Sequence, residues 1–216
     1  MPSVPRKDEL LFDLAKKGYW VFFPRYRGTW ESDGNFLAKS PHLDIKDVID
    51  GINTGLKVLY WKGETYKLKP TKLFLIGSSF GGPAVLLNAH DKRVTKVVAI
   101  SPVVGWKTQA KSKGEPWDPL TKFVREAFGN GYRFTDKNWQ KLKRGSFYDP
   151  SSKANKIPGK KILIIHAKDD DIVDYKPVEK FAKKINCKLK LLKRGGHSIT
   201  SISKPASWKR VEKFIK

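Results

Sequence analysis

The stretch Lys72-Leu73-Phe74-Leu75-Ile76-Gly77-Ser78-Ser79-Phe80-Gly81-Gly82 decides the fold. Its first half, Lys72–Ile76, is an apolar run of strand length, and Gly81–His90 behind it is patterned as a helix. Between them stands Gly-x-Ser-x-Gly. A strand, a tight turn and a helix together lift a serine above the end of a sheet with its hydroxyl exposed. The crowding of such a turn demands small residues around the serine. That demand selects Ser79, flanked by Gly77 and Gly81, over Ser78, which Ile76 and Phe80 would flank. The plainer alternative is a glycine-rich turn with two incidental serines, and the strand–turn–helix setting opposes it.

Outward from this stretch, helical and strand-like segments alternate. Helices are expected at Asp8–Lys17, Asp44–Trp61, Gly81–His90, Pro177–Ile185 and Ala206–Ile215. Strands are expected at Tyr19–Phe23, Lys72–Ile76, Thr95–Ile100, Lys161–His166 and Lys188–Leu192. Continuous apolar strands between helices argue for an α/β fold: a mostly parallel sheet of about five strands with helices on both faces. The whole chain, 1–216, reads as one domain. The stretch from about 104 to 158 breaks the alternation with no clear strand, and it is dense in aromatics. It is expected to be a helical lid insertion. Its aromatics would form either a small core of their own or a wall facing a substrate. Trp106 and Trp117, with Tyr26, are the candidates for that wall.

In such sheets chemistry sits beyond the carboxyl ends of the strands. An unactivated serine needs a base, and the chain has four histidines. His42 precedes a helix, His90 ends one, and His166 ends a strand. His197 lies in the glycine-rich loop Arg194-Gly195-Gly196-His197-Ser198, directly after the last strand, and is the natural base. A base of this kind needs a carboxylate to fix its tautomer. The loop after the preceding strand offers Asp169, Asp170 and Asp171, and chemistry alone does not choose among them. Asp174 reads as the N-cap of the next helix.

Composition removes other classes. With 39% hydrophobic residues, the chain is too apolar for a disordered basic tail. A single cysteine, Cys187, excludes an internal disulfide framework and a cysteine-based zinc site. The apolar runs are too short to span a bilayer, and Met1–Arg6 holds no apolar signal core, so a cytoplasmic protein is expected. The formal charge is +23, yet 35 of the 44 basic residues are lysines spread along the chain. That distribution suits a solvated surface and argues against a nucleic-acid partner.

Four stretches together resemble the α/β-hydrolase superfamily, in the branch of the prolyl oligopeptidase and dienelactone hydrolase families. Pro24–Gly34 is similar to the family's Arg-Gly-x-x-x-Ser-x-Gly loop, and Gly77–Gly82 to its nucleophile elbow. Ile164–Val173 is similar to His-Gly-x-x-Asp-x-x-Val, with Ala167 in place of glycine, and Gly196-His197 to the histidine loop. The order Ser, Asp, His along the chain is also the family's. The resemblance implies Ser79 as nucleophile, Asp170 as acid and His197 as base, with the Phe80 N–H as one oxyanion donor. In the family a strand precedes a helix like Asp8–Lys17 and supplies the second donor. Here that donor is expected from the segment around Met1 or Pro2, or the oxyanion hole is incomplete. The function implied is a serine hydrolase, a carboxylesterase acting on a small-molecule ester, with no cofactor and no metal. A peptidase and a non-catalytic binding module are the alternatives.

Overall fold

The computed structural model describes residues 8–54, 68–110, 117–197 and 205–216. Its centre is a parallel sheet of four strands in the order β1-β2-β3-β4: β1 Leu73–Ser78, β2 Val94–Ile100, β3 Ile162–Ala167 and β4 Lys188–Leu192. Around it lie α1 Asp8–Ala15, α2 Pro41–Thr54, α3 Gly82–Leu87, α7 Tyr175–Ile185 and α8 Pro205–Ile215. Between β2 and β3 come the short α4 Trp106–Gln109, α5 Trp117–Phe128 and α6 Asp136–Gln140, with 3₁₀ turns among them.

The period-2 alternation of strand side chains assigns the two faces. On one face Val97, Ala99, Ile162 and Ile164 pack with Ile49 of α2, Leu86 of α3 and Phe181 of α7. On the other, Val98, Ile100, Leu163 and Ile165 pack with Leu14 of α1 and with Trp208, Val211 and Ile215 of α8. Helices therefore cover both faces, as the apolar strands require. β3 is buried throughout, whereas β1 and β4, at the sheet's edges, are only partly covered. Asp174 caps α7, its carboxylate accepting from the Lys176 N–H at 3.0 Å, and Asn186 ends that helix in the left-handed conformation. Among the described residues no helix is long and apolar enough to cross a membrane.

The apolar run Tyr19–Phe23 differs from expectation. It is not a strand, and the described sheet has four strands where about five were expected. Tyr19 and Val21 do turn inward, Tyr19 meeting Phe74 and Trp208 at 6.4 and 5.8 Å between rings. Trp20, Phe22 and Phe23 stay exposed. Apolar side chains alone can bury every second residue, but a strand also needs a neighbour to take its backbone hydrogen bonds. The expected extension of α2 to Trp61 lies outside the described residues. The described part of the stretch 104–158 has no strand, and most of its described aromatics join the core on one face of the sheet, with Phe134 on Trp139 and Phe128 on Tyr132.

Candidate active site

The elbow forms because its glycines let two backbones approach. A Cβ at Gly77 would stand 2.4 Å from the Gly81 carbonyl oxygen, and one at Gly82 would stand 2.4 Å from Pro102 Cβ. A Cβ at Gly81 would meet only the Tyr26 hydroxyl, at 3.5 Å. The second steric constraint therefore falls on Gly82 rather than on the motif glycine Gly81. Ser79 itself takes φ +50°, a conformation costing about 1–3 kcal/mol in a non-glycine residue and held here by its surroundings. Its carbonyl accepts from Gly82 and Val103, which tie the turn to α3 and to the end of β2.

The turn rests on aromatic rings. Phe80 is buried against Tyr26, Phe36, Trp106 and Tyr148, at 5.1–5.8 Å between ring centres. Tyr148 Oη donates to the Phe80 carbonyl at 2.5 Å. Trp106 is 3% exposed, stacks on Tyr148, and donates its indole N–H to the Tyr148 carbonyl at 2.7 Å. The structure thus corrects the assignment of Trp106 to a substrate wall, whereas Tyr26 is half-buried, with its ring edge-on to Phe80 at 5.8 Å. Trp106 lies beneath the elbow because a turn carrying Phe80 inward needs rings to receive it. Burial pushes the Tyr26 hydroxyl up to about 12, so it is neutral at ordinary pH. Trp117 opens α5. Met1 and Pro2 lie outside the described residues. The Phe80 amide follows Ser79 directly, at the start of the turn leading into α3.

Ser79, His197 and Asp170 are brought together. His197 Nε2 lies 2.9 Å from Ser79 Oγ, and its Nδ1 lies 3.0 Å from each oxygen of Asp170. The carboxylate fixes Nδ1 as the protonated nitrogen, leaving Nε2 to accept from the serine. Asp170 Oδ1 also accepts from the backbone N–H groups of Ile172 and Val173, at 3.0 and 2.9 Å. Burial alone would raise the Asp170 pKa. Hydrogen bonds from His166, His197 and Val173 outweigh it and hold the carboxyl well below the usual carboxylate range. The other two acids separate: Asp169 binds the backbone of the histidine loop, and Asp171 is exposed.

His42 bonds Ser40 and His90 the Leu87 carbonyl, so neither serves the site. His166 does reach it, and sequence reasoning assigned it no role there. It is fully buried, with Nε2 2.9 Å from the Val173 carbonyl and 3.3 Å from Asp170 Oδ2. Its place in an apolar strand, four residues before the acid, was the available signal. Among the described residues no group of His, Cys, Asp and Glu is arranged to hold a metal ion.

Serine, imidazole and carboxylate joined at the carboxyl ends of a parallel sheet put the chain among the serine hydrolases of α/β-hydrolase fold. It belongs to the prolyl oligopeptidase family, whose model matches residues 8–214. Among solved structures, an esterase of Pyrococcus furiosus is similar with TM-score 0.67 and 20% identity, over 96% of this chain and 73% of the esterase. A monoacylglycerol lipase of Paleococcus ferrophilus gives 0.62 and 18%, over 96% and 87%. An α/β hydrolase from a lagoon-sediment metagenome gives 0.57 and 17%, over 96% and 83%. At these identities the likeness is one of fold. Among curated proteins none matches the chain in sequence.

Proposed function

We propose that the chain is a carboxylesterase working through an acyl-enzyme on Ser79, with a small-molecule ester as substrate. The observation that carries this is the continuous run of hydrogen bonds from Asp170 through His197 to Ser79 Oγ. Ser79 Oγ forms a bond to the acyl carbon as His197 Nε2 takes its proton. The carbonyl π electrons move onto oxygen, where the Phe80 N–H meets the developing charge. The tetrahedral species collapses, the C–O bond to the alcohol breaks, and His197 returns the proton to the leaving alkoxide. Water then repeats the sequence, with His197 as its base, and frees the acid and Ser79. Asp170 stays ionised throughout and steadies the imidazolium.

The test is a panel of p-nitrophenyl esters on the wild type and on Ser79→Ala. Loss of the nucleophile is expected to lower kcat by about 10⁶, the scale measured for a serine protease. Equal rates for the two proteins would sink the reading. Family membership favours a second reading, cleavage of peptide amides. Turnover of chromogenic peptide amides with no ester turnover would select it.

A further inference from the structure

We propose that Asp169 is a positioning residue for His197. Its carboxylate holds the backbone of the loop that carries the imidazole and sets where that imidazole stands. Asp169 Oδ2 accepts from the Gly195 N–H at 3.0 Å and Oδ1 from the Gly196 N–H at 2.9 Å. The inference rests on the reading of His197 as the base for Ser79.

The geometry explains why such a hold is needed. β4 and β1 are the opposite edges of a four-stranded sheet, so their ends stand roughly 14 Å apart at a spacing of about 4.8 Å. His197 follows β4, and Ser79 follows β1. The five residues Lys193–His197 must therefore turn back across the top of the sheet. Packing does little to steer them. Lys193, Arg194 and Gly195 are exposed, and a methyl group at Gly196 would meet nothing within 4 Å. Hydrogen bonds supply the direction instead. The Lys168 N–H donates to the Leu192 carbonyl at 2.9 Å where the two loops leave the sheet. Asp169 then takes the two glycine N–H groups, and Asp170 takes Nδ1 of His197. Consecutive acids thus hold consecutive parts of one loop, its backbone and its imidazole.

The two bonds are charge-assisted. The amides of Gly196 and Gly195, aided by Arg194, hold the Asp169 carboxyl below its usual range, and it is ionised wherever Asp170 and His197 work. As an exposed group it contributes order to one loop rather than stability to the core.

The experiment measures Asp169→Ala and Asp169→Asn beside Ser79→Ala, using p-nitrophenyl acetate and a fluorophosphonate probe. A base displaced by a fraction of an ångström to an ångström should lower kcat and the phosphonylation rate by about 10- to 100-fold in Asp169→Ala. KM should stay within about twofold of wild type, as expected for a group that touches no substrate. The Tm should stay put, since surface substitutions cost at most about 0.5 kcal/mol. Asp169→Asn keeps a carbonyl oxygen for one N–H and should fall between the two. The low-field proton resonance of His197 Nδ1–H should broaden in Asp169→Ala and persist in Asp169→Asn. Should Asp169→Ala fail to fold, the near-isosteric Asp169→Asn carries the same test against wild type. Wild-type rates and an unchanged resonance in the Asp169 variants, with Ser79→Ala inactive, would overturn the inference alone. An active Ser79→Ala would overturn the reading beneath it.

Discussion

Two regions of this molecule are rich in aromatic residues and treat them in opposite ways. Under the elbow, Phe80, Trp106 and Tyr148 pack ring on ring and lose nearly all contact with water. Along Trp20–Phe23, three aromatic side chains stay exposed, Trp20 at 66%. The difference lies in the backbone. Phe80 follows a laddered strand, and the elbow's carbonyls are met by Gly82, Val103 and Tyr148. Residues 19–23 carry the same kind of side chains but belong to no strand. Apolar content brings a segment to the core; hydrogen-bonded neighbours decide whether both of its sides are covered.

The strongest way to break this contrast is to crowd the covered region. Gly82→Ala would drive a Cβ to 2.4 Å from Pro102 Cβ and 2.7 Å from its Cα. Overpacking against backbone costs about 1–3 kcal/mol, so the Tm should fall by about 2–12 °C in a chain of this size. Gly81→Ala, with only the Tyr26 hydroxyl at 3.5 Å, should fall much less. Calorimetry of the two variants checks the order, and a larger drop for Gly81→Ala would contradict the account of the turn.

That pair of glycines also marks how far the sequence could be read. Gly-x-Ser-x-Gly selected Ser79 because the spacing of small residues is a local property, and the four strands from β1 to β4 were legible for the same reason. Asp170 emerged from three adjacent acids only through the register of a family motif. What each acid binds depends on a loop some 26 residues further on, which no local pattern encodes. The tight approach at Gly82 was hidden because Pro102 belongs to another strand's end. Trp106 looked equally suited to a wall or a core, and burial settled it once the partners were known. Tyr19–Phe23 misled because a strand's side-chain pattern says nothing about whether a neighbour will pair with it.

A smaller effect separates the regions by pH. Burial pushes the Tyr26 hydroxyl up to about 12, and burial also pushes that of its partner Tyr148 well above the ordinary value. A group whose folded pKa is raised binds its proton more tightly folded than unfolded. Its contribution is therefore whole below the unfolded value of about 10 and is lost as pH rises toward the folded value. The Tm should decline from pH 10 to 12, and Tyr26→Phe should flatten that decline. An unchanged slope in Tyr26→Phe would mean that the hydroxyl meets water.

The smallest effects belong to the exposed run, and they test the comparison from its other side. Trp20 is mostly in water, so Trp20→Ser should shift stability by no more than about 0.5 kcal/mol. Its neighbour Val21 faces the α8 side with Tyr19, so Val21→Ala should cost about 1 kcal/mol for the methyl groups withdrawn from a partly buried site. A smaller side chain would then matter more than a larger one beside it, because only one of them is turned inward. Denaturant melts of the two variants give the order directly. If Trp20→Ser proved the costlier, the outer side of the segment would be covered in solution, and the two aromatic regions would differ less than their exposures imply.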